Sequence, residues 1–555
     1  AEEAMAGFVM FFLASRGEGT PESWAMARAV AADMRLPLAA RALAHQHLVR
    51  DKQVQPAASL RASDLHYASA ASAEEWWGAP GQEVMLDAPV HVLGLPAERP
   101  LRLRGGTSET PVLRLNSVAV HGEPKTRLTE LRDLTVEGGF HTQASSTNHA
   151  PILLARNVLF RRNASLAVSG FARLEDAFLD YAGLTVAMGG ALELQRVQGW
   201  VAEAKVAGEW RVRGGQLGFS LRPELAATAR VAMREAQLSG ALPFKAAPGA
   251  TVLWRDVVAQ CDGEWPATLP AAWSVQQARI AAPLAGATQA IVPLAAPHTG
   301  QVYVLAGRTT PPTKRVESLA ALRQALYGAR PGELIELAAG DHSLTSPIEV
   351  PPGVTLVGAT GSKVMVSRAA SAAFTFSGAG AVALRDIHNE VVNVPGSTPG
   401  TEIADMQPKT ALTVGREAWV IIQGGDMRRW HHAAHTIARV AAGGRLEFKN
   451  HPASDAVLVQ PGGLIVKDPQ PAKHATAQRR AIAQRTRTEQ WEDAARRYGG
   501  AIAKAGNRAE RVAATRSFGD SVAATVRITE ASRIDGARAY LRAVVPVMQR
   551  NPSES

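Results

Sequence analysis

Leu131-Arg132-Asp133-Leu134-Thr135-Val136 decides the fold: an apolar residue, a polar residue, a turn-type residue, then an alternating apolar run. The pattern returns as Ala155-Arg156-Asn157-Val158-Leu159-Phe160 and as Leu174-Glu175-Asp176-Ala177-Phe178-Leu179, then at Leu194-Gln195-Arg196-Val197. Later copies are Met233-Arg234-Glu235-Ala236-Gln237-Leu238, Trp254-Arg255-Asp256-Val257-Val258 and Val275-Gln276-Gln277-Ala278-Arg279-Ile280. Counting Gly215 in a weaker copy, the third positions fall at 133, 157, 176, 196, 215, 235, 256 and 277, in steps of 24, 19, 20, 19, 20, 21 and 21. Short strands bounded by turn residues and repeated about every 20 residues are coils of a β-solenoid, in which stacked coils build parallel sheets. Helical repeats are longer, and the Leu/Asn consensus of leucine-rich repeats is missing.

Working outward, residues 281–315 break the rhythm with Ala, Pro and Thr. A second segment opens with an amphipathic helix, Ser318 to Leu326, followed by Arg330-Pro331-Gly332-Glu333-Leu334-Ile335-Glu336-Leu337, then Ala339-Gly340-Asp341-His342, then Val350-Pro351-Pro352-Gly353-Val354-Thr355-Leu356-Val357-Gly358. Leu384-Arg385-Asp386-Ile387 repeats the first motif. Coils continue to a last strand at Leu464-Ile465-Val466. The expected organisation is a helical N-terminal region over 1–52, a transition over 53–84, a first β-helix segment over 85–300, a linker over 301–315, a second segment over 316–470 and a basic helical region over 471–555.

The order of helix, Pro-Gly strand and Pro-x-Gly-Val-Thr-Leu strand resembles the opening of pectate-lyase-like (pectin lyase fold) proteins. With the periodicity, the resemblance spans about 85–470. It implies a mainly β fold, a right-handed parallel β-helix with the helix capping the open end of a first coil. It also raises cleavage of an acidic polysaccharide by a lyase, hydrolase or epimerase. Thr20-Pro21-Glu22 is a good helix start, and the stretch from Trp24 to Leu48 resembles part of one tetratricopeptide-like helical unit. Such a unit needs partners to be stable.

The composition is globular, with 46% hydrophobic and 20% charged residues. Aromatics are few, at 5%, which suits a core of stacked small aliphatics. One cysteine, Cys261, excludes an intramolecular disulfide and a Cys-based zinc site and reads as a buried apolar residue. Gly7–Ala14 is too short to span a bilayer, and Glu2 and Glu3 before it carry the wrong charge for a signal peptide. The chain starts at Ala1, which leaves room for a removed leader. An extracytoplasmic or cell-surface location is expected. The Trp76-Trp77 pair reads as a packing anchor.

The chemistry is sparse. Asp133, Asp176, Glu235 and Asp256 recur once per coil at a turn-entry position, where short polar side chains cap backbone groups. A calcium site needs convergent oxygens instead, so neither a metal nor another cofactor is implied. Asp341-His342 reads as coil-turn chemistry. Phosphate-cradling, zinc-protease and nucleophile-elbow motifs are absent. The richest polar cluster is Arg428-Arg429-Trp430-His431-His432 with His435. Arg429, His431 and Asp426 are its catalytic candidates, and Arg428, Trp430, His432 and His435 its ligand-binding ones.

The net charge of +10 is concentrated C-terminally: 473–516 holds eleven Lys or Arg against four Asp or Glu, a net of +7. Arg479, Arg480, Arg485, Arg487, Arg496 and Arg497 are the candidate docking or polyanion-binding residues. Only Trp491 and Tyr498 interleave, which argues against nucleic acid. The leading expectation is a non-catalytic β-helix scaffold of a bacterial surface, fibre or multi-protein assembly, docking a protein partner or a second copy through its terminal helices. A carbohydrate-active enzyme on an acidic polysaccharide is the alternative, and polyanion binding by the basic tail a further one.

Overall fold

The computed structural model describes a helix at Pro21–Ala32, the strands between 83 and 122, residues 128–481 apart from 145–151, 368–369, 393–409, 427–435 and 450–456, and a few isolated positions beyond 500. The chain is mainly β, a parallel β-solenoid of about 14 turns. Crossovers between parallel strands of one sheet are right-handed in about 98% of cases, which is the hand expected here.

The turn residues of the repeat explain the coil. Asp133, Asn157, Asp176, Arg196, Glu235, Asp256 and Gln277 all have φ between 51° and 57°, and so does Asp386 in the second segment. Asn and Asp tolerate this left-handed geometry better than most residues. Each bends the chain sharply from one sheet into the next and donates its N–H to the neighbouring coil, as Asp176 does to Gln195 O at 3.0 Å. In the weak copy the turn falls one residue earlier than the spacing predicts. Gly214, not Gly215, donates to Arg234 O at 2.9 Å and holds the turn. Two adjacent glycines with positive φ hide the register.

The first segment stacks a ten-stranded parallel sheet beside a longer one that follows each turn. Inward side chains run in ladders, such as Leu131, Ala155, Leu174, Leu194, Val212, Met233, Trp254 and Val275, every one of them buried. Strand spacing of ~4.8 Å makes this stack on the order of 40 Å long. The expectation of a small-aliphatic core fails along the whole segment: Phe140 and Phe160 already enter the core in the early coils. From Trp210 on, Trp254, Trp265, Trp273, Phe219 and Phe244 fill the interior in edge and tilted contacts.

The expected boundary at 300 also moves. Gly300–Val304 pairs in parallel with Ala278–Ala282 and extends the first segment. The rhythm breaks earlier in the sequence because Ile291–Pro293 folds back antiparallel on that strand.

The second segment has three parallel sheets of seven, three and five strands among the described residues. Its helix, Leu319–Tyr327, is capped by Ser318, whose side chain accepts from Ala321 N at 3.2 Å. Leu319, Leu322 and Leu326 close the second core.

The two segments lie side by side with opposed axes. Thr355 meets Ala306, Arg445 meets Gln237, and Gln478 meets Leu134 and Asn157, so the later chain retraces the earlier one backwards. Outward residues Trp419, Ile421, Ala381 and Ala383 of the second solenoid pack with Ala281 and Leu305 of the first. Strands Ala418–Gln423 and Arg445–Lys449 are therefore buried on both faces.

Among the described residues, no helix is long and apolar enough to cross a membrane. The tetratricopeptide-like unit, apart from the helix Pro21–Ala32, and the Trp76-Trp77 pair lie outside the described residues.

Candidate functional site

The seam between the solenoids holds the densest buried polar chemistry of the described chain. Successive residues of a strand face opposite ways, so Leu446 and Phe448 enter the second core while Arg445, Glu447 and Lys449 face the first solenoid. Arg445 Nε donates to Glu447 Oε1 at 2.5 Å, and its guanidinium lies 5.1 Å from the Trp419 ring centroid. Lys449 Nζ is 3.8 Å from the other carboxylate oxygen. One buried carboxylate thus stands between two buried cations.

Toward the turn between the solenoids the seam opens into a cleft of about 430 Å³, lined by Gln260, Asp262, Arg308, Arg385, Gln423 and Lys449 among others. Arg385 closes its floor. It donates to Gln423 Oε1 at 2.9 Å and to the carbonyls of Gly307 and Ala306 at 2.8 and 2.9 Å, clamping the connection between the segments. Burial lowers the Arg385 pKa. Arg308 reaches Asp262 at 3.5 Å, and Gln260 Nε2 donates to the other Asp262 oxygen at 3.3 Å.

Lys449 is 8% exposed, and its Nζ has no hydrogen-bond partner among the described residues. Desolvation lowers its pKa, against the attraction of Glu447, Asp262 and Asp468 and with the repulsion of Arg445. The folded protein therefore binds fewer protons here than the unfolded chain between the lowered folded pKa and the ordinary value of 10.5, and stability rises with pH across that window. Lys449→Met removes this slope. Its stability advantage over the parent is expected to shrink as pH is raised toward 10.5, which urea titrations at several pH values would read. A constant difference would contradict the assignment.

A second, larger cleft of about 920 Å³ lies between the first solenoid and residues 467–481. Tyr181 and Trp200 stack there, 5.9 Å apart and 11° from parallel. Arg162 lies 4.9 Å over Tyr181. Tyr181 takes φ 54° at a bulge, and Gly218 leaves room for the indole, since a Cβ there would come within 2.5 Å of it. Arg196 makes a bidentate pair with Asp176 at 2.7 and 2.8 Å. Both are more than half exposed, so the pair contributes little to stability. Helix 471–481 seals one side: His474 meets the Phe178 ring at 5.3 Å, and Gln478 donates to the carbonyls of Leu134, at 3.3 Å, and Asn157.

Few of the residues singled out from the sequence meet here. Arg428, Arg429, Trp430, His431, His432 and His435 lie outside the described residues, as do Arg485, Arg487, Arg496 and Arg497. Asp426 forms a parallel bridge with His388 and accepts from Asn389 N at 3.0 Å. Arg479 and Arg480 are exposed beside the buried Gln478. The acidic residues at the coil period occupy turns, as expected, and among the described residues no group of three or more His, Cys, Asp or Glu could hold a metal ion. Cys261 is buried, and burial pushes its thiol pKa up. His342 bonds the Ala338 carbonyl at 2.8 Å.

No family model matches this chain, and no curated protein does. Among solved structures, the PL6 family alginate lyase AlyGC and an arginine-to-alanine mutant of it each align with 70% of this chain and 80% of their own, at 8% identity and a TM-score of 0.18. A score at that level establishes no shared fold, and the solenoid assignment stands on the strand pairing.

Proposed function

We propose that this chain is a non-catalytic β-helix scaffold that docks a protein partner, or a second copy of itself, through its basic C-terminal region. The observation that supports this reading is the seating of helix 471–481. One of its faces, His474 and Gln478, is fixed to the flank of the first solenoid, while Arg479 and Arg480 face solvent. The cationic stretch beyond it is thereby launched from a rigid support rather than from a free end. The two solenoids share a buried seam, with Trp419 and Ile421 packed against Ala281 and Leu305.

The test is molar mass by size-exclusion chromatography with light scattering, at low and high salt. The full chain is compared with one ending after residue 482, which keeps the seated helix. An assembly that falls to monomer in the shorter chain is the expected result. Monomers in both overturn the reading. That outcome passes the question to a carbohydrate-active protein, for which the cleft of about 920 Å³ beside Tyr181 and Trp200 is the supporting feature.

A further inference from the structure

We propose that the cleft at the seam is a binding site for a small hydroxylated anion, a carboxylate or phosphate carrying a neighbouring hydroxyl, held by Lys449 and Gln260. Two side chains carry the inference. Lys449 Nζ has no hydrogen-bond partner among the described residues, and neither has Gln260 Oε1. Both residues are more than nine-tenths buried and both line the cleft. A buried polar atom left unsatisfied costs about 1–3 kcal/mol, and more if charged, so two in one cleft mark a place shaped for something else.

The two atoms ask for opposite chemistry. The ammonium of Lys449 offers three donors and no acceptor. Gln260 is oriented by Asp262: the carboxylate accepts from Nε2, which leaves the amide oxygen as an acceptor. The complementary ligand presents an oxyanion to the lysine and a hydroxyl to the glutamine.

The charges lining the cleft are balanced, Arg308, Arg385 and Lys449 against Asp262, Glu336 and Asp386, so selectivity rests on the two unsatisfied atoms and not on net charge. Glu447 is already held by Arg445 at 2.5 Å and reaches Lys449 only at 3.8 Å. Arg385 uses three of its five donors on two carbonyls and an amide oxygen. A volume of about 430 Å³ lies within the range of small-molecule sites. The site is independent of the docking proposed above, since its residues are on the solenoids and not in the C-terminal region.

The experiment is isothermal titration calorimetry of the full chain with glycerate and with glycerol 3-phosphate, which separate a carboxylate from a phosphate source. Sulfate, an oxyanion without a hydroxyl, is the control. Saturable binding of one probe, stronger than that of sulfate, is expected. Lys449→Met should weaken it about ten- to hundredfold, and Gln260→Leu about tenfold. Near-UV circular dichroism establishes that both variants are folded, which is expected because Glu447 keeps Arg445 as its close partner when Lys449 is replaced. Binding that survives Lys449→Met overturns the site. So does the lack of saturable binding by either probe, the result if solvent alone satisfies the two atoms. Molar mass unchanged in both variants keeps this test apart from that of the scaffold.

Discussion

Replacing Trp254 by alanine is expected to destabilise the protein by about 3–5 kcal/mol, the usual cost of deleting a fully buried large aromatic. Its indole is wholly inaccessible, stacked between Met233 and Val275 in the inward ladder. It touches Phe244, Trp265 and Trp273 at centroid distances of 5.6, 5.7 and 6.2 Å. Within one solenoid the core of a coil is completed by its neighbours, so collapse of this layer would interrupt the core between the early coils and the last one. The loss is a large part of the roughly 5–15 kcal/mol that holds a typical domain together. Urea unfolding monitored by far-ultraviolet circular dichroism checks it. A shift under about 0.5 kcal/mol, the size seen for surface substitutions, would mean that this aromatic layer is not packed as described.

Arg445→Ala is expected to cost about 3–5 kcal/mol, because it strands Glu447 as an uncompensated buried charge beside a lysine that can only partly neutralise it. The guanidinium also lies on the Trp419 ring and reaches Gln237 of the first solenoid at 3.5 Å, so the substitution strikes the contact between the two solenoids. The combined change Arg445→Met, Glu447→Leu and Lys449→Met removes all three charges of the buried set and is expected to restore most of the loss, since apolar replacement of a whole buried ion pair or triad is often neutral or stabilising. The triple variant is the informative arm. Were it as unstable as Arg445→Ala alone, the seam would depend on the ion pair itself rather than on avoiding a lone charge.

Much of the coil is legible from residue types. Asn and Asp at the turn, bracketed by alternating aliphatics, carry both the period and the left-handed conformation that the structure finds at Asp133, Asn157, Asp176 and Asp256. Ser318 announces the capping helix. The pairing of the two solenoids leaves a fainter trace. Val420-Ile421-Ile422 and Ala381-Val382-Ala383-Leu384 are continuously apolar, the mark of a strand buried on both faces, but such runs also suit a single thick core. The seam itself is hidden. Arg445, Glu447 and Lys449 alternate with Leu446 and Phe448 just as a solvent-facing edge would, and nothing in that pattern reveals a neighbour about 200 residues earlier. Cleft residues Gln260, Asp262 and Lys449 escape a sequence reading for the same reason: they converge through tertiary packing and share no local motif. The compact cluster around His431 is conspicuous instead, because neighbours in sequence are visible without a fold.

Opposed solenoids also impose an order on biosynthesis. Arg445 emerges from the ribosome 208 residues after the glutamine it meets, which at about 5–20 residues per second is a delay of roughly 10–40 s. During that time the first solenoid can wind coil by coil behind the elongating chain, but the apolar patch at Ala281 and Leu305 waits uncovered until Trp419 and Ile421 have been made. The newborn protein therefore passes through a stage with one finished rod and a sticky flank, a stage that invites either a chaperone or a wrong neighbour.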